Sequence, residues 1–208
     1  RSVGLNTIEA SRRARGRLFA IPAFGTMGRP MPETIIIRAE KSAERPVSEQ
    51  IIRLAYGRES EVVLTASLRE TAEFNPELSI VADQGGKIIG YALYSAATVV
   101  TAAGPQRALA LATIAVLPEC QKQGIGERLV RHGLERCRTR GVELVFAIGQ
   151  PQYFSRFGFR PADPLGMQCE LPLRPGDFQA IDLSGRLLGS IRGQVVCPGP
   201  FKDAFLNY

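Results

Sequence analysis

Gly124 and Gly126 stand two residues apart in "QKQGIGERL" (121–129), between an apolar run ending at Val116 and a stretch of helical periodicity. A glycine in a helix costs roughly 0.5–1 kcal/mol relative to alanine. Two at one helix start therefore mark a place where something comes close to the backbone. A helix start presents unpaired N–H groups and the positive end of the helix dipole. A loop of amides feeding into it can cradle an anion, and glycines remove the Cβ atoms that would hold phosphate oxygens away. The spacing alone leaves two readings open, a phosphate site and a plain tight turn. It is not a P-loop, because no G-x-x-x-x-G-K-[ST] passes through it. It is not the dinucleotide fingerprint either, since Leu129 stands where the third glycine would be.

Other residues able to do chemistry are fewer. Cys120, Cys137, Cys169 and Cys197 lie far apart, with no short spacing of a zinc or redox motif, so they read as free thiols in a reducing cytoplasm. His132, the single histidine, falls inside the helix after the glycines and reads as a surface or packing residue. Nothing here suggests a metal site. Glu59, Glu61, Glu70 and Glu73 flank one prospective side of the site, and Thr113 sits on the strand before the glycines. Acids on helices usually form solvated faces, and the pattern selects none of these as a base. Glu119 and Glu127 border the cradle with the wrong sign for phosphate and suit the helix start instead.

The elements that must position these residues follow from periodicity and punctuation. "TIIIRA" (34–39) reads as a strand, and "PVSEQIIRLAYG" as a helix stopped by Gly57. "SEVVLTASLRETAEF" (60–74) reads as a second helix. Gly85-Gly86 splits a long β-rich stretch into a hairpin. "QRALALATIAVLP" is a buried strand. A helix from about Gly124 to Arg140 carries Ile125, Leu129, Val130, Leu134 and Cys137 on one face. "VELVFAIG" is the next strand, and "QPQYFSRFGF" a short helix turning into a strand that includes Phe159. The Gly/Pro-rich remainder shows short β signals at "CELPL", "FQAIDL" and "GQVV". This order predicts one α/β (α+β) domain: a central mixed, mostly antiparallel sheet flanked by helices.

"QKQGIG" matches the pattern [RQ]-x-x-G-x-[GA], and about thirty residues on "YFSRFGFRPA" carries an aromatic–R-F-G-F segment. With both motifs in order over residues 34–162, the chain resembles the GCN5-related N-acetyltransferases. The tail from 163 to 208, with "GQVVCPGPF", resembles their YhbS-like subgroup. The resemblance implies an acyltransferase that moves the acetyl group of acetyl-CoA to a primary amine, on a small molecule or a protein, by direct attack. It implies that Gln121, Lys122, Gln123, Gly124, Ile125 and Gly126 hold the pyrophosphate. It further implies that Ile114, Ala115 and Val116 pair with the pantetheine arm, leaving the acetyl carbonyl near the Val116 amide. The strand after the helix is expected to splay from "LATIAV" to admit the arm. Many relatives have a tyrosine four residues before the glycine of R-F-G-F as proton donor to the leaving thiolate. That position is Phe154 here. Tyr153, one residue earlier, is the candidate for the role, and a CoA-binding sensor that has lost catalysis is the alternative function.

Composition narrows the partners. The chain has 45% hydrophobic and 22% charged residues, the balance of a soluble folded protein. Of the formal net charge of +6, a surplus of five lies in residues 1–30, where six arginines face only Glu9. The rest is near neutral, which argues against nucleic acid as a partner. No apolar run approaches the roughly 20 residues a membrane span needs, so no membrane partner is expected. Residues 1–30 read as a dispensable basic leader (an over-extended gene start, an expression remnant or a disordered tail), with an organelle transit peptide as the alternative. The domain would then start at Met31. Homodimers are frequent in such families, so a dimer is possible on sequence grounds.

Overall fold

Residues 34–206 are described by a computed structural model; the basic leader expected over 1–30 lies outside them. The first half runs β1 (Ile35–Ala39), α1 (Arg45–Tyr56), α2 (Ser60–Arg69), β2 (Ser79–Gln84), β3 (Lys87–Thr101) and β4 (Gly104–Val116). The second half runs α3 (Ile125–Thr139), β5 (Leu144–Ile148), α4 (Pro151–Phe154), β6 (Arg160–Pro161) and β7 (Met167–Cys169), then β8 (Phe178–Asp182), β9 (Gly193–Val196) and α5 (Gly199–Leu206).

Local chemistry explains the boundaries the sequence marked. Gly57 caps α1 in the left-handed conformation, φ 69°, and its N–H returns to the Arg53 carbonyl. Gly85 and Gly86, both at positive φ, make the two-residue turn between β2 and β3 whose twist matches the strands. α2 ends at Arg69, short of the expected Phe74. There the Thr71 hydroxyl donates to the Leu68 carbonyl and the chain turns off.

The sheet is ordered β1-β2-β3-β4-β5-β8-β6. β4 and β5 run parallel, as do β7 and β9, and every other pairing among the described residues is antiparallel. Central β3 serves two neighbours along one edge. Its first half pairs with β2 through Leu93, and Thr98–Val100 pair with β9.

Successive β3 residues point to opposite faces. Tyr91 faces the α1/α2 side, where the Arg69 guanidinium lies over its ring and bridges Glu40 and Glu49. Tyr94 faces α3, donates a 3.0 Å hydrogen bond to the Val130 carbonyl, and fills the space beside Gly133. The α3 stripe expected from sequence is buried at Ile125, Leu129, Val130, Leu134 and Cys137.

The tail departs from expectation. β7 lies two residues earlier than "CELPL", and residues 170–177 form a loop. Phe159 precedes β6 and lies outside it. The Gly/Pro stretch continues into helix α5, because Pro200 in a first turn loses no intrahelical hydrogen bond. Phe201 of α5 is buried, and α5 packs on α2.

A Cβ on Gly133 would sit 2.0 Å from the Tyr94 ring. Gly133→Ala should therefore destabilise the fold by about 1–3 kcal/mol through overpacking, read as a lower urea midpoint at unchanged slope. An unaltered midpoint would show that α3 does not press on Tyr94.

Candidate functional site

β4 is flanked on both sides only part of the way. Leu109, Ala110 and Leu111 pair with Val145, Phe146 and Ala147 of β5, and there the parallel ladder stops. At the same point Ala112 is an extra residue, since Leu111 faces Tyr94 while Thr113 faces Leu93. Such a bulge bends and twists its strand. The rest of β4 stays on β3 and leaves a gap toward β5.

Backbone groups entering that gap need partners. The Ile114 carbonyl accepts a 3.0 Å hydrogen bond from the Tyr56 hydroxyl. The Val116 carbonyl accepts a 3.1 Å bond from Gln121 Nε2. Ala115 turns the other way. Its carbonyl lies under Gly90 of β3, where a Cβ would come within 3.2 Å. Of the three β4 residues expected to meet a ligand with their backbone, Ile114 and Val116 face the gap and Ala115 does not.

The glycine loop lies at the Val116 end. Lys122 takes a left-handed φ of 60°, and Gly124, the α3 N-cap, has φ 81° with no side-chain cap. The Arg128 N–H makes the first helical bond, to the Gly124 carbonyl. The N–H groups of Ile125, Gly126 and Glu127 thus fall in the uncapped first turn. The Ile125 side chain is buried, so its contribution here is its amide. Gln121 and Gln123 tie the loop inward, the latter by a 3.2 Å bond to the Glu119 carbonyl. Glu127 pairs with Arg131 on the helix surface.

α4 approaches the same helix start. A Cβ on Gly126 would lie 2.7 Å from the Tyr153 hydroxyl. Phe154, about 100° further round the helix, is buried edge-on to Phe159 and against Gly149. The adjacent aromatics therefore divide the work: Phe154 packs, and Tyr153 brings its hydroxyl to α3. Arg156 lies over the Tyr153 ring, 4.7 Å from its centroid.

A cavity of about 730 Å3 opens from the gap. Leu111, Ala112 and Ile114 form its floor, with Tyr153 and Phe154 to one side. Across from them stand Tyr56, Arg58, Ser60, Glu61 and Leu64. The 170–177 loop and α5 close the far end with Leu173, Arg174, Asp177, Phe201 and Phe205. Val116 lies two residues nearer the glycine loop than the Ile114 wall.

The structure sorts the acids that sequence left equal. Glu61 is buried on the cavity wall, held by Arg58 and by a 2.8 Å bond from the Ser60 hydroxyl. Glu59 is paired with Arg53 in solvent, and Glu70 and Glu73 are exposed. Thr113 is taken up by packing, its hydroxyl 2.8 Å from that of Thr65. Tyr56 escaped the sequence reading because the last residue before a capping glycine gives no sign of which strand it will face. Among the described residues no group of three His, Cys, Asp or Glu could hold a metal, and no helix is long and apolar enough to cross a membrane.

Residues 48–159 match the model of the acetyltransferase (GNAT) family. The N-acetyltransferase YjhQ of Escherichia coli K12 is 34% identical over 157 residues, which cover 74% of this chain and 86% of that protein. The chain belongs to the GNAT family. A crystal structure of the GNAT-family N-acetyltransferase YhbS from E. coli, in complex with CoA, superposes with a TM-score of 0.76 at 28% identity, over 83% of this chain and 94% of that one. A family acetyltransferase from Brucella melitensis, solved with acetyl-CoA, shares the fold (TM-score 0.66, 23% identity, 81% of this chain and 99% of that one). By family the chain is an acyltransferase, and its mixed, mostly antiparallel sheet flanked by helices is the GNAT fold.

Burial raises the hydroxyls of Tyr91, Tyr94 and Tyr153. That of Tyr56, a residue 36% exposed but with its hydroxyl enclosed against the Ile114 carbonyl, is pushed up to about 12. Folding thus strengthens the hold of these groups on their protons. Above the ordinary tyrosine value of about 10, the unfolded chain carries fewer protons than the native one. Stability should therefore be level below pH 10 and fall as pH climbs from 10 toward 12. Urea midpoints at pH 9, 10.5 and 11.5 check this, and a midpoint that rises over that range contradicts it.

Proposed function

We propose that the chain transfers the acetyl group of acetyl-CoA to a primary amine by direct attack. The observation that carries this reading is the parting of β4 from β5 after Leu111 and Ala147, with the uncapped start of α3 at one end of the gap and the cavity at the other. When bound, acetyl-CoA supplies a thioester whose carbonyl a neutral amine can attack, releasing CoA as the thiol.

The residues present fit such a molecule. The first-turn amides of α3 and the left-handed residues Lys122 and Gly124 form a concave set of donors suited to a pyrophosphate. Ile114 offers a carbonyl along the gap in the manner of an added strand, once Tyr56 yields or shares it. The family resemblance implies an acetyl carbonyl near the Val116 amide. The cavity wall is built instead from Ala112 and Ile114, so we move the reacting carbonyl deeper, toward the bulge.

Tyr153 is our choice for the proton donor to the leaving sulfur. Its hydroxyl borders the path from Gly126 to Ile114; a tyrosine is protonated at neutral pH in any case, and burial raises this one further. A CoA-binding sensor without turnover is the second reading, and the apolar Phe154 at the relatives' tyrosine position is what favours it.

Thiol release from acetyl-CoA over an amine panel separates the two, because a sensor binds and releases none. Tyr153→Phe should lower kcat about tenfold or more with little change in CoA affinity, since a positioned acid contributes roughly 100-fold or more. An unchanged kcat would remove Tyr153 from the chemistry. Gly126→Asp should weaken CoA binding about tenfold or more (about 1.4 kcal/mol), measured by titration calorimetry. Equal affinities would remove the α3 start as the pyrophosphate site.

A further inference from the structure

The acceptor end of the cavity has a chemistry of its own. Two carboxylates face it, Glu61 from the start of α2 and Asp177 from the 170–177 loop, with side chains 11% and 18% exposed. Each is bridged by an arginine that is more open to solvent, Arg58 at 45% and Arg174 at 84%. The acids thus sit inward and the guanidinium groups sit at the rim. The four formal charges cancel. Between them the wall is apolar, made by Leu64, Leu111, Leu173, Phe201 and Phe205.

Glu61 lies beside the gap. Its charge is felt at the Tyr56 hydroxyl, which itself rests on the Ile114 carbonyl. An ammonium drawn to Glu61 is thereby delivered next to the strand edge along which the thioester is proposed to lie. Arg58 is 45% exposed and stays in contact with solvent, so an incoming ammonium can share the Glu61 carboxylate without burying the guanidinium alone. A second positive charge on the same molecule could be met only by Asp177; a third would meet Leu and Phe side chains, or the two arginines, and burying an unpaired charge is strongly unfavourable. Methylene groups on that wall gain instead.

We infer that the acceptor is a small amine with an apolar body and no more than two positive charges: the reacting ammonium is taken by Glu61 beside the gap, and the body lies against Leu173, Phe201 and Phe205. This inference rests on the acetyl-transfer reading above. The reaction balances simply. The amine nitrogen bonds to the acetyl carbon as the C–S bond breaks. The ammonium gives up two protons in all, one ending on the CoA sulfur and one in solvent, leaving an N-alkylacetamide.

The test is kcat/KM for ethylamine, butylamine, hexylamine, phenethylamine, spermidine and a short lysine-containing peptide, with CoA affinity measured alongside by calorimetry. The expected result is a rise of about threefold per added methylene from ethyl- to hexylamine, with spermidine and the peptide below hexylamine. Leu173→Ala, at a half-buried position, should flatten that rise at unchanged CoA affinity. Glu61→Gln should raise KM for every monoamine about tenfold or more at unchanged CoA affinity. Should Glu61→Gln fail to fold, Glu61→Asp, which draws the carboxylate back from the cavity, takes its place and is expected to raise KM by a smaller factor. Preference for spermidine or the peptide, a flat series, or turnover of the peptide with no monoamine turned over would overturn the acceptor assignment alone. CoA binding with no amine of the panel turned over, or no CoA binding by the unaltered protein, would overturn the acetyl-transfer reading itself, and this inference with it.

Discussion

One interrupted ladder governs the molecule. A parallel strand pair leaves its outer hydrogen-bonding groups satisfied only while the pairing lasts, and here it lasts three residues, Leu109–Leu111 against Val145–Ala147. Beyond it, β4 would hang as an edge with buried, unpaired backbone, an arrangement folded proteins avoid. Continuous antiparallel pairing with β3 from Gly104 to Val116 holds it in place. The bulge at Ala112 lets β4 bend away from β5 without breaking that pairing. Tyr56 and Gln121 supply side-chain partners to the carbonyls that face the gap. Glycine loop, cavity and aromatic pair are all arranged around the opening so created.

Long-range charge pairing holds the second wall. α2 carries Glu61 at its start and Arg69 at its end, and Arg69 is bound to Glu40 with both side chains 2% exposed. Ser79 completes the cluster, its hydroxyl donating a 2.7 Å bond to Glu40 and lying 2.9 Å from the Tyr91 hydroxyl. A buried pair of this kind is weak evidence for net stability, but it fixes where its helix can sit, because no shifted position leaves both charges paired. The placement of Glu61 over the cavity is thus set at the opposite end of its own helix.

What could be read from the sequence was local. Gly57, the Gly85-Gly86 turn, the α3 stripe and the glycine loop all act through backbone conformation or periodicity within a few residues, and each left a mark. The choice between Tyr153 and Phe154 turned on a rotation of one position along a short helix. Sequence identified the pair, and packing against Gly149 and Phe159 assigned the inner member. The contributions of Glu61 and Tyr56 depend on which distant strand each helix end meets, and neighbouring residues carry no trace of that. α5 was masked by "GPGP", which reads as loop until Pro200 is seen to occupy a first helical turn. The backbone direction of Ala115 follows from strand parity, which the bulge at Ala112 and the pairing with β3 set together.

β3 pairs with β2 over one stretch and with β9 over the next, at Thr98–Val100. This stitches the last quarter of the chain to the middle of the sheet, and that same quarter furnishes the loop and helix enclosing the far end of the cavity. The glycine loop and the loop and helix at the far end of the cavity therefore come from separate stretches of the polypeptide, which meet through the β3–β9 and β5–β8 pairings and the packing of α5 on α2. Lineages could remodel the wall residue by residue, trading one acceptor for another, while inheriting the donor half untouched.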